Sequence, residues 1–150
     1  MTLEYNQILV AIDGSKEAEL AFKKSVAIAS RNNAALHLVS IIDISFGSLE
    51  AYAREYAKET QKSTEELLQR YKQEAMDAGI TYVDLIIELG SPKTLITEEV
   101  APRVNADLII CGATGQNAAE RIFLGSVSER IMRAAKCDVL VVRNQDTISK

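Results

Sequence analysis

Short, nearly continuous apolar runs alternate along this chain with stretches whose apolar residues return every third or fourth position. The first pattern belongs to strands buried on both faces, the second to helices with one inward stripe. Ile8-Leu9-Val10-Ala11-Ile12 opens the series and stops at Asp13-Gly14-Ser15, a turn and helix-start cluster. Ala18, Ala21, Phe22, Val26 and Ala29 then recur at helical spacing as far as Asn32-Asn33. Leu36 to Ile42 reads as the second strand, ending at Asp43. Residues 48–78 read as one long helix, with Leu49, Tyr52, Tyr56, Thr60, Thr64, Leu67, Tyr71 and Ala75 as a core-facing stripe. Glu66 and Arg70 stand on its charged side, and Gly79 is placed to stop it. Tyr82 to Leu89 is the third strand, and Ser91-Pro92 starts a helix with Leu95, Ile96 and Val100 inward. Pro102 should end or kink that helix near Val100. Leu108 to Cys111 is the fourth strand, Ser126 to Ala135 the fourth helix and Asp138 to Arg143 the fifth strand. The tail from Asn144 to Lys150 is polar and expected to be loose.

Strands joined to one another through helices predict an α/β fold, an open five-stranded parallel sheet with helices on both faces. No repeat or linker interrupts the alternation, so residues 1–150 read as a single domain. Ligands of such sheets sit beyond the carboxyl ends of the strands, at the switch in strand order. A flavodoxin-like 2-1-3-4-5 order and a 3-2-1-4-5 order both fit. If the first and fourth strands are neighbours, Asp13 faces the loop that begins at Gly112.

Composition narrows the partners. The net charge is −4 and no run of Lys or Arg stands out, which argues against nucleic acid. A bound polyphosphate would have to be held by local geometry. The apolar runs are far shorter than a membrane span, and Met1 to Gln7 lacks the cationic lead of a secretory signal. The two cysteines, Cys111 and Cys137, lie against strands and fit buried thiols in a reducing, cytoplasmic setting.

The candidate chemistry lies between the fourth strand and the fourth helix. Gly112 and Gly115 are separated by two residues, Gly115 and Gly125 by nine, and Ser126 follows. Glycines there let backbone approach a ligand, and a helix start offers unpaired N–H groups to an anion. With this G-x2-G-x9-G-S pattern, the Ile8–Ser15 segment, the Leu36–Asp43 segment, Ala106 to Ile110 and Cys137 to Arg143, the chain resembles the universal stress protein family. The resemblance covers the ends and most of the sheet. It implies a Rossmann-like fold of the adenine nucleotide alpha hydrolase kind, ATP bound with Mg, a regulatory role in stress response, and at most slow hydrolysis.

Carried over residue by residue, the resemblance implies that Ala11, Ile12 and Asp13 line the adenosine side and Ile41 packs on the base. Gly112, Ala113, Thr114 and Gly115 would pass along the ribose and phosphates, with Gln116 and Asn117 in the same set. Ser126, Val127 and Ser128, behind Gly125, would present N–H and hydroxyl groups to the phosphates. Ala118 stands where several ATP-binding members have a further glycine. The resemblance also implies a homodimer through the last strand, Val139-Leu140-Val141-Val142, an apolar edge that needs cover. A member that does not bind ATP and works through dimer or partner contacts is the alternative. ADP, AMP and a cyclic dinucleotide also remain open as the ligand.

Several residues carry a second, structural reading. Asp13 is placed to cap the first helix. Ser126 and Glu129 match a capping box. Arg121 is either a phosphate contact or a solvated loop charge. His37, the only histidine, reads as a strand residue with its hydrogen bonds satisfied. Catalysis has little support: there is no G-x-x-x-x-G-K-[ST] loop, no G-x-S-x-G elbow and one histidine for acid–base work. Asp13-Gly14-Ser15-Lys16 is too thin for the phosphate loop of a related hydrolase or ligase. Leu89-Gly90 and Arg143 stand where a phospho-acceptor domain needs Asp and Lys. The 5% aromatic content, without Trp, disfavours a flavin site.

Overall fold

The structure is a computed structural model that describes residues 3–43, 50–114 and 124–144. In chain order the elements are β1 (Gln7–Ala11), α1 (Lys16–Asn32), β2 (Ala35–Ile42), α2 (Glu50–Asp77) and β3 (Val83–Leu89). A helical run follows, made of α3 (Pro92–Leu95), a π-helical segment (Ile96–Val100) and α4 (Ala101–Arg103); β4 (Leu108–Gly112), α5 (Ser126–Ala134) and β5 (Asp138–Val142) complete the fold.

The five strands form one sheet in the order β3-β2-β1-β4-β5, parallel throughout. Of the two orders the sequence allows, this is 3-2-1-4-5, with the switch between β1 and β4. Val10 pairs with Leu38 on one side and Ile110 on the other, so the ends of β1 and β4 lie side by side.

Alternation along each strand divides the core into two layers. Ile8, Val10 and Ile12 meet Ala21 and Phe22 of α1 and Leu68, Tyr71 and Ala75 of α2. Leu9, Val39, Ile109 and Cys111 meet Ile96 and Val100 of the π segment and Ile131 of α5. Phe22 and Tyr71 stack with ring centroids 4.3 Å apart, fixing α1 against α2. His37 is buried with Nδ1 3.0 Å from Asp84 and Nε2 2.7 Å from Gln7, the satisfied strand histidine expected.

One local expectation needs correction and another is narrowed. The stripe on α2 faces the core only in its second half: Tyr71 and Ala75 are buried and Leu67 partly so, with Leu68 rather than Leu67 fully inward, whereas Tyr56 is 47% exposed. The reason is length, since 28 residues make a helix of about 42 Å against about 26 Å for β2. Tyr52 and Leu49 lie outside the described side chains. Of the end or kink expected near Val100, Pro102 brings no end but a local distortion. The chain widens to a π turn, with Ala101 N–H on the Ile96 carbonyl, and continues to Arg103. A wider turn relieves the clash of a proline ring with the carbonyl four residues back. Gly79 does stop α2, in a left-handed conformation with φ +101°, and Ile80 N–H reaches back to the Ala75 carbonyl at 3.1 Å.

Candidate functional site at the β1–β4 switch

The end of β1 is held by the sheet for one residue beyond the strand, as Ile12 N–H donates to the Val39 carbonyl at 2.8 Å. Asp13 then emerges exposed. Its Oδ1 accepts from Ser15 N–H at 2.9 Å and from Ser15 Oγ at 2.5 Å. Ser15 is the N-cap of α1, accepting from Ala18 N–H at 3.2 Å. The capping reading of Asp13 is therefore corrected: Ser15 caps, and Asp13 orients Ser15. A serine two positions nearer the helix has the reach to its third N–H.

Ala11 and Ile41 are partly buried on the layer of the π segment and α5, together with Val127. Ile12 belongs to the opposite layer, 2% exposed beneath α1. Its side chain is thus committed to the core, and only its backbone lies at the strand end.

At the end of β4, backbone approaches backbone. A Cβ built on Gly112 would lie 2.9 Å from the Glu17 carbonyl carbon, 3.0 Å from Glu17 Cβ and 3.1 Å from Ala18 N. Gly112 is required by the packing of α1 on the sheet. Ala113 follows as a buried hub: its N–H donates to the Val142 carbonyl at 2.8 Å, and its carbonyl accepts from Gly125 N–H at 2.7 Å. The single Ser128 hydroxyl proton is shared between the same carbonyl, at 2.7 Å, and the Gly125 carbonyl, at 3.0 Å. The loop between β4 and α5 is closed at its base by these bonds. Thr114 donates N–H and Oγ–H to the two carboxylate oxygens of Glu17, at 3.0 and 2.7 Å.

Gly125 is the N-cap of α5 and receives no side-chain cap. Ser126 is the first helical residue and exposed, so the Ser126–Glu129 capping box does not form. Glu129 N–H bonds to the Gly125 carbonyl at 3.0 Å, which places the helix start one residue earlier than a Ser126 cap requires. The structure therefore brings together Ala11, Asp13, Ile41, Gly112, Ala113, Thr114, Gly125, Ser126, Val127 and Ser128 at one end of the sheet. It takes the Ser128 hydroxyl inward, onto Ala113. Gly115, Gln116, Asn117 and Arg121 lie outside the described residues.

Glu17 is the site residue that sequence reasoning missed. Its one local signal, an acidic side chain in the first turn of α1, is explained by the helix dipole. Nothing local links it to Thr114, 97 residues away.

The chemistry on offer is binding. The amino end of α5 supplies N–H groups without intrahelical partners, and Asp13 supplies a carboxylate. Burial pushes the Cys111 thiol up to about 12 and raises that of Cys137. Tyr5 is raised by its hydrogen bond to Asp138, and Tyr71 by burial. All four groups are held towards their neutral forms. Among the described residues no cluster of three metal-ligating side chains occurs, and no helix is long and apolar enough to cross a membrane.

Comparison with known proteins agrees with this fold. A Staphylococcus haemolyticus protein bearing the universal stress protein name is 48% identical over 145 residues, 96% of this chain and 88% of its own. The solved universal stress protein UspA from Lactobacillus plantarum superposes with a TM-score of 0.88 at 28% identity, over 95% of this chain and all of that one (100%). A universal stress protein solved in complex with cAMP, also 28% identical, superposes with a TM-score of 0.67 over 93% of this chain and 98% of its own. The family model described as the universal stress protein family matches residues 4–143, and the chain belongs to that family.

Proposed function

We propose that this chain is an ATP-binding universal stress protein whose role is regulatory, with nucleotide held at the carboxyl ends of β1 and β4. The observation that carries the reading is the uncapped amino end of α5 at Gly125-Ser126, beside the β1–β4 switch where Asp13 emerges. Phosphates would take the free N–H groups of Ser126 and Val127. Asp13 would accept from ribose hydroxyls or the adenine amine, with Ala11 and Ile41 against the base. Gly115, Gln116, Asn117 and Arg121 complete the proposed contact set. The relative solved with cAMP supports an adenine nucleotide as the ligand class. Magnesium would travel with the triphosphate, because it needs few protein ligands there.

The role follows from the chemistry. The binding groups at the end of the sheet fit a protein that senses nucleotide and passes occupancy to partners, in the cytoplasm, as one domain. The chain also pairs with a second copy through Val139 to Val142 at the β5 edge of the sheet, a reading that a monomeric mass in light scattering refutes. The test of the main reading is to denature the purified protein, identify released nucleotide by chromatography and mass spectrometry, and titrate the emptied protein with ATP. Stoichiometric ATP or ADP is expected. A protein that arrives empty and takes up no added ATP refutes the reading in favour of a member that acts without nucleotide.

A further inference from the structure

The opening of the glycine loop is fastened to α1 at two adjacent points. Gly112 lets the Glu17 backbone within contact distance of β4, and the Glu17 carboxylate then receives both donors of Thr114, N–H at 3.0 Å and Oγ–H at 2.7 Å. Thr114 is 9% exposed, so neither donor is readily served by water instead. Hydrogen bonds to an ionised acceptor are stronger than neutral ones, and two from one residue fix orientation as well as distance. Glu17 lies in the first turn of α1, where the helix dipole favours its negative charge. The far end of the loop is fixed separately, by Gly125 N–H and Ser128 Oγ on the Ala113 carbonyl.

We propose that Glu17 is the positioning residue of the nucleotide site: its carboxylate sets the direction in which the chain leaves β4 at Thr114. The proposal rests on the ATP-binding reading of the same site. The clasp also removes Thr114 from the phosphate contacts, since both its donors are spent on Glu17. Glu17 thus acts on the ligand only through Thr114. The opposite role would read differently: were the carboxylate an internal competitor on donors that otherwise meet phosphate, its removal would tighten binding. Positioning predicts that removal weakens it.

The test pairs calorimetric titration of ATP with hydrogen exchange at the Thr114 amide in the nucleotide-free protein. Wild type, Glu17→Gln, Glu17→Ala, Thr114→Val and Thr114→Ser are compared. Positioning predicts that Glu17→Ala and Thr114→Val each bind ATP about tenfold more weakly, the fraction of molecules with the correct loop exit having fallen by that factor. Glu17→Gln, with one acceptor oxygen left, falls between. Thr114→Ser restores wild-type affinity, because its hydroxyl makes the same bond. Thr114 amide protection drops in Glu17→Ala but not in Thr114→Ser. Loss of protection with unchanged or tighter ATP binding overturns the positioning role. Wild type that shows the protected amide yet binds no ATP overturns the ATP reading and, with it, the positioning role, leaving the clasp as a contact of the fold alone.

Discussion

A single methyl group added at Gly112 tests the packing described at the end of β4. The Cβ of a Gly112→Ala variant would sit 2.9 Å from a backbone carbon of Glu17 and 3.1 Å from the Ala18 nitrogen. Carbon atoms in good contact keep about 3.5–4.0 Å, so β4 and α1 must separate by something near 0.5–1 Å. Neither yields easily. β4 is paired on both sides, to β1 and β5, and α1 is anchored by Phe22, which is fully buried and stacked on Tyr71. Overpacking of this kind costs about 1–3 kcal/mol. Urea unfolding without nucleotide reads it: the midpoint should fall by roughly 1 M at unchanged slope, given slopes of about 1–3 kcal/mol/M. Gly79→Ala is the control. Its added Cβ meets nothing within 4 Å, and its cost arises from φ +101° alone. A nucleotide-free Gly112→Ala protein with the wild-type midpoint refutes the packing argument. Lost ATP binding in such a stable variant would instead place the requirement for glycine on the ligand side.

Two other outcomes follow from the same structure. With the Cys111 thiol pushed up to about 12 from 9.0, the folded chain holds that proton where the unfolded chain releases it. The stability this contributes is fully present below pH 9 and is lost as pH rises towards 12, at about 1.4 kcal/mol per pH unit. Cys137 and Tyr71 shift the same way, so the difference between wild type and Cys111→Ala is the quantity to measure; parallel stability curves from pH 8 to 10.5 would refute burial as the cause. Asp13→Ala should weaken AMP binding by about 1–3 kcal/mol if the carboxylate meets the nucleoside. Equal calorimetric affinity in the variant would confine Asp13 to orienting Ser15.

The strands were the most legible part of the chain, because burial on both faces leaves little room for polar residues. Ile8 to Ile12 and Leu108 to Cys111 fall within a residue of the observed elements. The site's neighbourhood followed from where those runs stop, but not which runs are neighbours: pairing of β1 with β4 depends on contacts about 100 residues apart. Periodicity over-extended the α2 stripe, since a helical repeat does not say where the sheet beneath it ends. The Ser-x-x-Glu pattern at Ser126 was ambiguous for a related reason, as a glycine one residue earlier can occupy the N-cap position without a side-chain bond. The family resemblance implies a ligand-facing hydroxyl at Ser128. Its hydroxyl instead points inward because the Ala113 carbonyl lies buried within its reach. Glu17 is the same lesson at long range, a side chain whose local explanation was sufficient and incomplete.

The bond from Gly125 N–H to the Ala113 carbonyl makes the base of the glycine loop a fixed socket. Doubling the length of a flexible insert adds only about 0.6 kcal/mol of closure entropy. A loop of different length or sequence, grafted between Thr114 and Leu124 as an exchangeable cartridge, should therefore leave the scaffold beneath it to fold as before.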